Sequence, residues 1–123
     1  METTLFDRYG VPKVYITDEE ENFIYLWKGK AVAYIDDENV YGWKGKHLGW
    51  FIDGILYDLK GMRVGFIIDK CPVTSHTEPT KYTKLTTHTK STHNSPFSRV
   101  SLTEVNSDKD LEELLSADVV SIL

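Results

Sequence analysis

The chain has one cysteine in 123 residues, Cys71. No internal disulfide is possible, and no Cys-rich zinc site can be built. As a nucleophile Cys71 would need a histidine beside it, with His76 and His47 as the candidates. Its place at the edge of a polar stretch argues against that use. There is no Walker or dinucleotide-binding glycine pattern. No apolar run is long enough to cross a bilayer, and no basic-then-apolar leader is present, so a cytoplasmic protein is expected. Positive charge is also short: 14 Lys/Arg stand against 19 Asp/Glu, a net charge of −5. Phosphate repels such a chain unless its cations are concentrated, so nucleic acid is not an expected partner. The charge is unevenly placed. Residues 1–70 carry 9 Lys/Arg against 12 Asp/Glu, residues 71–100 carry 4 against 1, and residues 101–123 carry 1 against 6.

What the sequence does have is a repeat. Ile24-Tyr25-Leu26-Trp27-Lys28-Gly29, Val40-Tyr41-Gly42-Trp43-Lys44-Gly45 and Leu56-Tyr57-Asp58-Leu59-Lys60-Gly61 start 16 residues apart. Each continues through an aliphatic, a small residue (Ala33, Gly49 or Gly65) and an aromatic (Tyr34, Trp50 or Phe66). The lysine–glycine pairs sit where a tight hairpin needs positive φ. The flanking runs are rich in β-branched and aromatic residues, which suit a pleated surface. Asp53-Gly54 is a second hairpin signal between copies. The matching stretch Asp36–Asn39 is polar, and its Asn39 can take the left-handed conformation. The small residues are expected to leave room for a neighbour's ring.

Leu5-Phe6-Asp7 through Gly10 to Tyr15-Ile16 repeats the pattern once more, with Pro12 after the turn and Val14 in place of the small residue. Four copies give four hairpins and about eight short antiparallel strands. One such hairpin is not stable alone, so the four must bury one another's apolar faces. Closing around a pseudo-fourfold axis removes the exposed sheet edges. The expected fold is all-β, with Gly10, Gly29, Gly45, Gly54 and Gly61 as turn glycines.

The copies resemble the bacterial four-fold beta flower domain. Tyr41-Gly42-Trp43-Lys44-Gly45-Lys46-His47-Leu48-Gly49-Trp50-Phe51, followed by Asp53-Gly54 and Tyr57-Asp58, carry the resemblance most clearly. It implies four hairpins set like petals about an axis, and it implies no established activity. It covers about residues 3–69.

The expected division is a four-hairpin domain over 3–70, a flexible linker over 71–96 and a C-terminal segment over 97–123. The linker is rich in Thr, Ser, His and Lys and has little apolar surface of its own to offset the cost of ordering. The segment Ser107 to Ser116 predicts a short amphipathic helix over 108–116, capped by Ser or Asp, with Leu111, Leu114 and Leu115 on one face.

Several residue groups are candidates for function. Tyr25, Trp27, Tyr41, Trp43 and Trp50 suit stacking on a sugar or base, although core packing explains aromatics in strands more simply. Lys28, Lys44 and Lys46 lie at the tips beside Lys30, Lys60 and Arg63, as a basic rim. Asp7 and Asp58 occupy equivalent places and would make an acid–base pair if they converged; an Asp there more often satisfies turn amides. His76, His88 and His93 and the run Asp18-Glu19-Glu20-Glu21 are weak metal candidates. The balance favours a non-catalytic binding or assembly module without a cofactor, meeting a protein partner or a second copy. The alternatives are a small hydrolase-like enzyme using Asp7 and Asp58 or Cys71, and weak nucleic-acid or glycan binding at the tips.

Overall fold

In the computed structural model, which describes residues 2–18, 21–85 and 89–119, eight strands close into one antiparallel barrel in chain order. They are β1 (Thr3–Phe6), β2 (Pro12–Ile16), β3 (Asn22–Leu26), β4 (Ala31–Asp36), β5 (Asn39–Gly42), β6 (His47–Ile52), β7 (Ile55–Tyr57) and β8 (Arg63–Phe66). β8 returns to β1 through the pair Phe6 and Phe66. Closure leaves no free sheet edge. The four repeats are the hairpins β1–β2, β3–β4, β5–β6 and β7–β8.

All four tips share one main-chain geometry. The amides of Gly10, Gly29, Gly45 and Gly61 donate to the carbonyls of Asp7, Leu26, Gly42 and Asp58 at 2.9–3.0 Å. A register shift precedes each tip, at Leu5/Phe6, Ile24/Tyr25, Val40/Tyr41 and Leu56/Tyr57. Such bulges bend a strand and increase its twist, which helps short hairpins close a barrel. Between hairpins, Asp53 (φ 51°) and Gly54 (φ 80°) make the turn from β6 to β7. In the turn from β4 to β5, Asp37 (φ 60°) takes the left-handed conformation, not Asn39. Asn39 is already in β5 and pairs with Asp36.

Alternation sorts the side chains by type. Leu5, Val14, Ile16, Ile24, Val32, Val40, Leu48, Leu56 and Val64 form one interior cluster. Outside, each seam between hairpins carries an aromatic pair in direct register: Tyr15 with Tyr25, Tyr34 with Tyr41, Trp50 with Tyr57 and Phe66 with Phe6. Opposed aromatics are among the better cross-strand pairs.

The stretch expected to be an unattached linker instead runs along the barrel, from tip to tip. The amides of His76, Leu85, Asn94 and Thr103 donate to the carbonyls of Gly10, Gly29, Gly45 and Gly61 at 2.8, 2.9, 2.8 and 3.0 Å. These strap residues are spaced nine apart. Thr74, Thr83, Thr92 and Ser101, also nine apart, lay their carbonyls against the same glycines, where a β-carbon would collide with them. The physical reason is that the strap needs little apolar surface of its own. Its backbone is satisfied by the tips, and its cations cover the barrel's rings and meet its acids. Lys81 lies over Tyr15, Lys84 over Tyr25 and Lys90 over Tyr34, with 4.8, 5.1 and 4.3 Å from nitrogen to ring centre. Lys81 and Lys84 pair with Glu2, Lys90 with Glu21 and Arg99 with Glu38. Each exposed pair contributes only ~0–1 kcal/mol, so the pairs set register more than stability.

Helix α1 (Leu111–Leu115) is shorter than expected and starts later. Asp110 is its cap, accepting from the Glu113 amide at 3.1 Å. Leu111 and Leu115 are fully buried in the barrel's interior cluster. Upstream, Ser107 bonds the Asp58 carboxylate at 2.8 Å, and Asp110 pairs with Lys13 at 3.4 Å. The helix therefore stops the barrel at the rim that carries the tips. Gly65 is small because Leu111 packs on it, and Gly49 because the Tyr57 carbonyl does; neither makes room for a ring. Among the described residues no helix is long and apolar enough to cross a membrane.

Gly45 is thus constrained twice, by a φ of 93° and by the strap carbonyl of Thr92. Gly45→Val should cost ~2 kcal/mol or more, combining left-handed strain with overpacking. Gly45→Asn, tolerated in an open turn, should cost nearly as much here. Gly54→Asn should cost less, because its neighbours are the side chains of Ile67 and Lys70. Urea midpoints check this: equal, mild effects of Asn at 45 and 54 would mean that nothing lies on the tip.

Candidate functional site

Of the aromatic candidates, Tyr25, Tyr41 and Trp43 share one cluster with Phe23, Ala31 and Tyr34. Tyr25 and Trp27 join Tyr15, with ring centres 5.6 and 5.3 Å from it. Trp43 lies against Phe23 and Tyr34. Tyr41 is sandwiched by Tyr34 and, from the strap, His93 at 4.2 Å. Trp50 meets the edge of His47. Tyr41, Trp43 and Trp50 are buried, while Tyr25 and Trp27 are half-buried. Desolvation pushes the phenol of Tyr34 up to about 12. The strap covers most of the surface on which a base or sugar would stack. Lys28 and Lys44 are exposed at separate tips, and Lys46 is exposed on the return from the third.

The catalytic candidates are otherwise engaged. Asp7 accepts from the amides of Tyr9 and Val11 at 2.9 and 3.0 Å. Asp58 accepts from those of Lys60 and Met62 at 2.9 and 3.0 Å. Each carboxylate closes its own tip. The Cys71 thiol points at the Asp7 carbonyl, 3.9 Å away, and packs beside Ile55, Tyr57 and Phe66. His93 pairs with Asp36 at 3.1 Å. His88, Glu19 and Glu20 lie outside the described residues. Among the described residues no three His, Cys, Asp or Glu converge as a metal site.

One concavity was not anticipated from the sequence, although the candidate Lys46 lines it. A groove of about 440 Å³ lies between the third and fourth tips and α1. Leu48, Leu59, Leu114 and Ala117 give it an apolar floor. Lys46 and Lys109 face Asp108, Asp110 and Glu113 around its rim. That size is within the range of pockets that hold small ligands or inserted side chains.

A family model described as 4-fold beta flower protein matches residues 3–115. The chain belongs to this family. No curated protein and no solved structure matched the chain. The matched span runs well past the hairpins and takes in the strap and α1, so both are parts of the flower.

One wall of the flower's groove is His47, which is buried. The Phe97 amide of the strap donates to its Nδ1 at 2.9 Å. Nδ1 must then be unprotonated, and Nε2 donates to the Gly49 carbonyl at 2.9 Å. The Phe97 ring stacks on the imidazole with centres 5.6 Å apart. Burial holds the His47 pKa below its usual value, against the smaller opposing effect of the Gly49 bond.

Sequence reasoning missed the groove because its walls come from residues 46–48, 59 and 108–117, which no local motif links. The strap did leave a signal: Thr74, Thr83, Thr92 and Ser101, with Lys81, Lys90 and Arg99, recur every nine residues.

A histidine whose folded pKa is depressed contributes stability above its unfolded value near 6.5 and loses it as pH falls through the folded value. Urea unfolding of the full chain should therefore show stability falling below about pH 6.5. His47→Gln keeps an acceptor and a donor and should flatten that fall. An unchanged slope in this variant would remove His47 as its source.

Proposed function

We propose that this beta flower is a non-catalytic binding module that receives a protein partner, or a second copy, in the groove beside α1. The observation that carries this reading is the groove's composition. Its apolar floor suits an inserted side chain, and the rim offers charges of both signs to fix the orientation of a peptide. The acid–base alternative is less supported, because Asp7 and Asp58 each spend an oxygen on two backbone amides. Glycan or nucleic-acid stacking is less supported, because strap residues occupy the faces of Tyr15, Tyr34 and Tyr41. We place the encounter in the cytoplasm, where a lone thiol such as Cys71 stays reduced.

The test compares tagged full chain with two variants, by capture from native extract and by sedimentation of the purified protein. Leu59→Glu puts a charge on the groove floor; Lys28→Glu changes a tip outside the groove. Leu59→Glu should cut capture or self-association at least tenfold, a loss of ~1.4 kcal/mol, and Lys28→Glu should leave it intact. Equal retention by both variants, loss only in Lys28→Glu, or no association by the unaltered chain would contradict the reading.

A further inference from the structure

Three of the four tips hold a carboxylate in the same seat, but only two supply it themselves. Asp7 and Asp58 do so through two amides of their own tips. The third tip has Gly42 at that position, with the same turn bonds: Gly42 N to Lys46 O at 2.8 Å and Gly45 N to Gly42 O at 2.9 Å. Its two seat amides, Lys44 and Lys46, donate instead to Asp118 Oδ2, at 3.1 and 2.9 Å. The Lys44 amide also lies 3.3 Å from the Asp118 carbonyl. A β-carbon built on Gly42 would fall onto the Asp118 side chain. A residue 76 positions later thus occupies the space left by a missing side chain. The second tip has Leu26 there.

We propose that the third tip is a carboxylate-binding site, filled in cis by Asp118 and open to an aspartate-like carboxylate from another molecule when the tail leaves. The chemistry is that of a main-chain anion nest: two N–H groups converge on one oxygen, with no cationic side chain required. The seats of the first and fourth tips hold the carboxylates of Asp7 and Asp58 in the same two-amide geometry. The tail held there directly follows α1, and Ala117 and Lys46 also line the groove. Loss of the Asp118 contact therefore loosens one wall of the groove. The proposal does not depend on what the groove binds.

Acetate is the probe, read by amide NMR of the full chain. In Asp118→Ala the Lys44 and Lys46 amides should respond to acetate saturably, with half-saturation in the millimolar range, and not to chloride at equal ionic strength. The Lys60 and Met62 amides, whose seat Asp58 fills, should stay in place. In the unaltered chain, acetate should move none of the four. Gly42→Asp, with or without Asp118→Ala, should abolish the acetate response, because the seat then fills itself as in the first and fourth tips. It also serves if Asp118→Ala alone does not fold, since Gly42→Asp should release the tail yet keep the Lys44 and Lys46 amides at unaltered positions. No acetate response in folded Asp118→Ala, an equal response in the unaltered chain, or a response that survives Gly42→Asp would overturn the proposal.

Discussion

Each tip glycine gives its carbonyl to a strap amide, and the rest of the molecule is arranged around that bond. It forms only if the glycine holds a left-handed conformation with nothing on its α-carbon facing the strap. The first condition disfavours a β-carbon and the second excludes it. They also fix the strap's step. Nine extended residues reach at most about 30 Å, which bounds the distance the strap can cover from one tip to the next. Because the tips are equivalent, the step is constant at nine even though the hairpin period is sixteen and the first interval is longer.

This arrangement accounts for the composition of residues 71–100. A chain segment rich in Thr, Ser and Lys fails to order when it must supply its own apolar burial. Here the barrel supplies both the hydrogen-bond partners and the aromatic faces. The excess of positive charge in the strap is matched to Glu2, Glu21 and Glu38 on the barrel. The uneven charge along the sequence is therefore internal complementarity, and the basic residues of this stretch are already engaged by the flower's own acids and rings.

The hairpins were legible because their register depends on side chains. Turn glycines, flanking aromatics and inward aliphatics recur together, so sixteen residues of pattern repeat visibly. The strap was not, because its register depends on main-chain atoms. His76, Leu85, Asn94 and Thr103 do the same job and share no side-chain chemistry. Only the weaker recurrence of Thr or Ser and of Lys or Arg marks the period. The aromatic candidates misled for a related reason: strand alternation says which residues share a face, not whether a later segment covers it. Gly42 and Asp118 were beyond reach, since an absent side chain and its distant substitute leave no local trace. For Asp7 and Asp58 turn closure could be weighed against acid–base pairing from the sequence, because the amides they accept from lie within four residues.

Backbone hydrogen exchange of the full chain tests the account most directly. It predicts protected strap amides at His76, Tyr82, Leu85, Ser91, Asn94 and Thr103, each of which donates to a tip carbonyl. Lys81 and Lys90, beside those contacts, should exchange much faster. Protection should therefore rise and fall with a period of nine along a segment whose described residues form no strand or helix. Uniform fast exchange across residues 74–103, with the barrel amides still protected, would contradict the account and leave the strap an unattached linker.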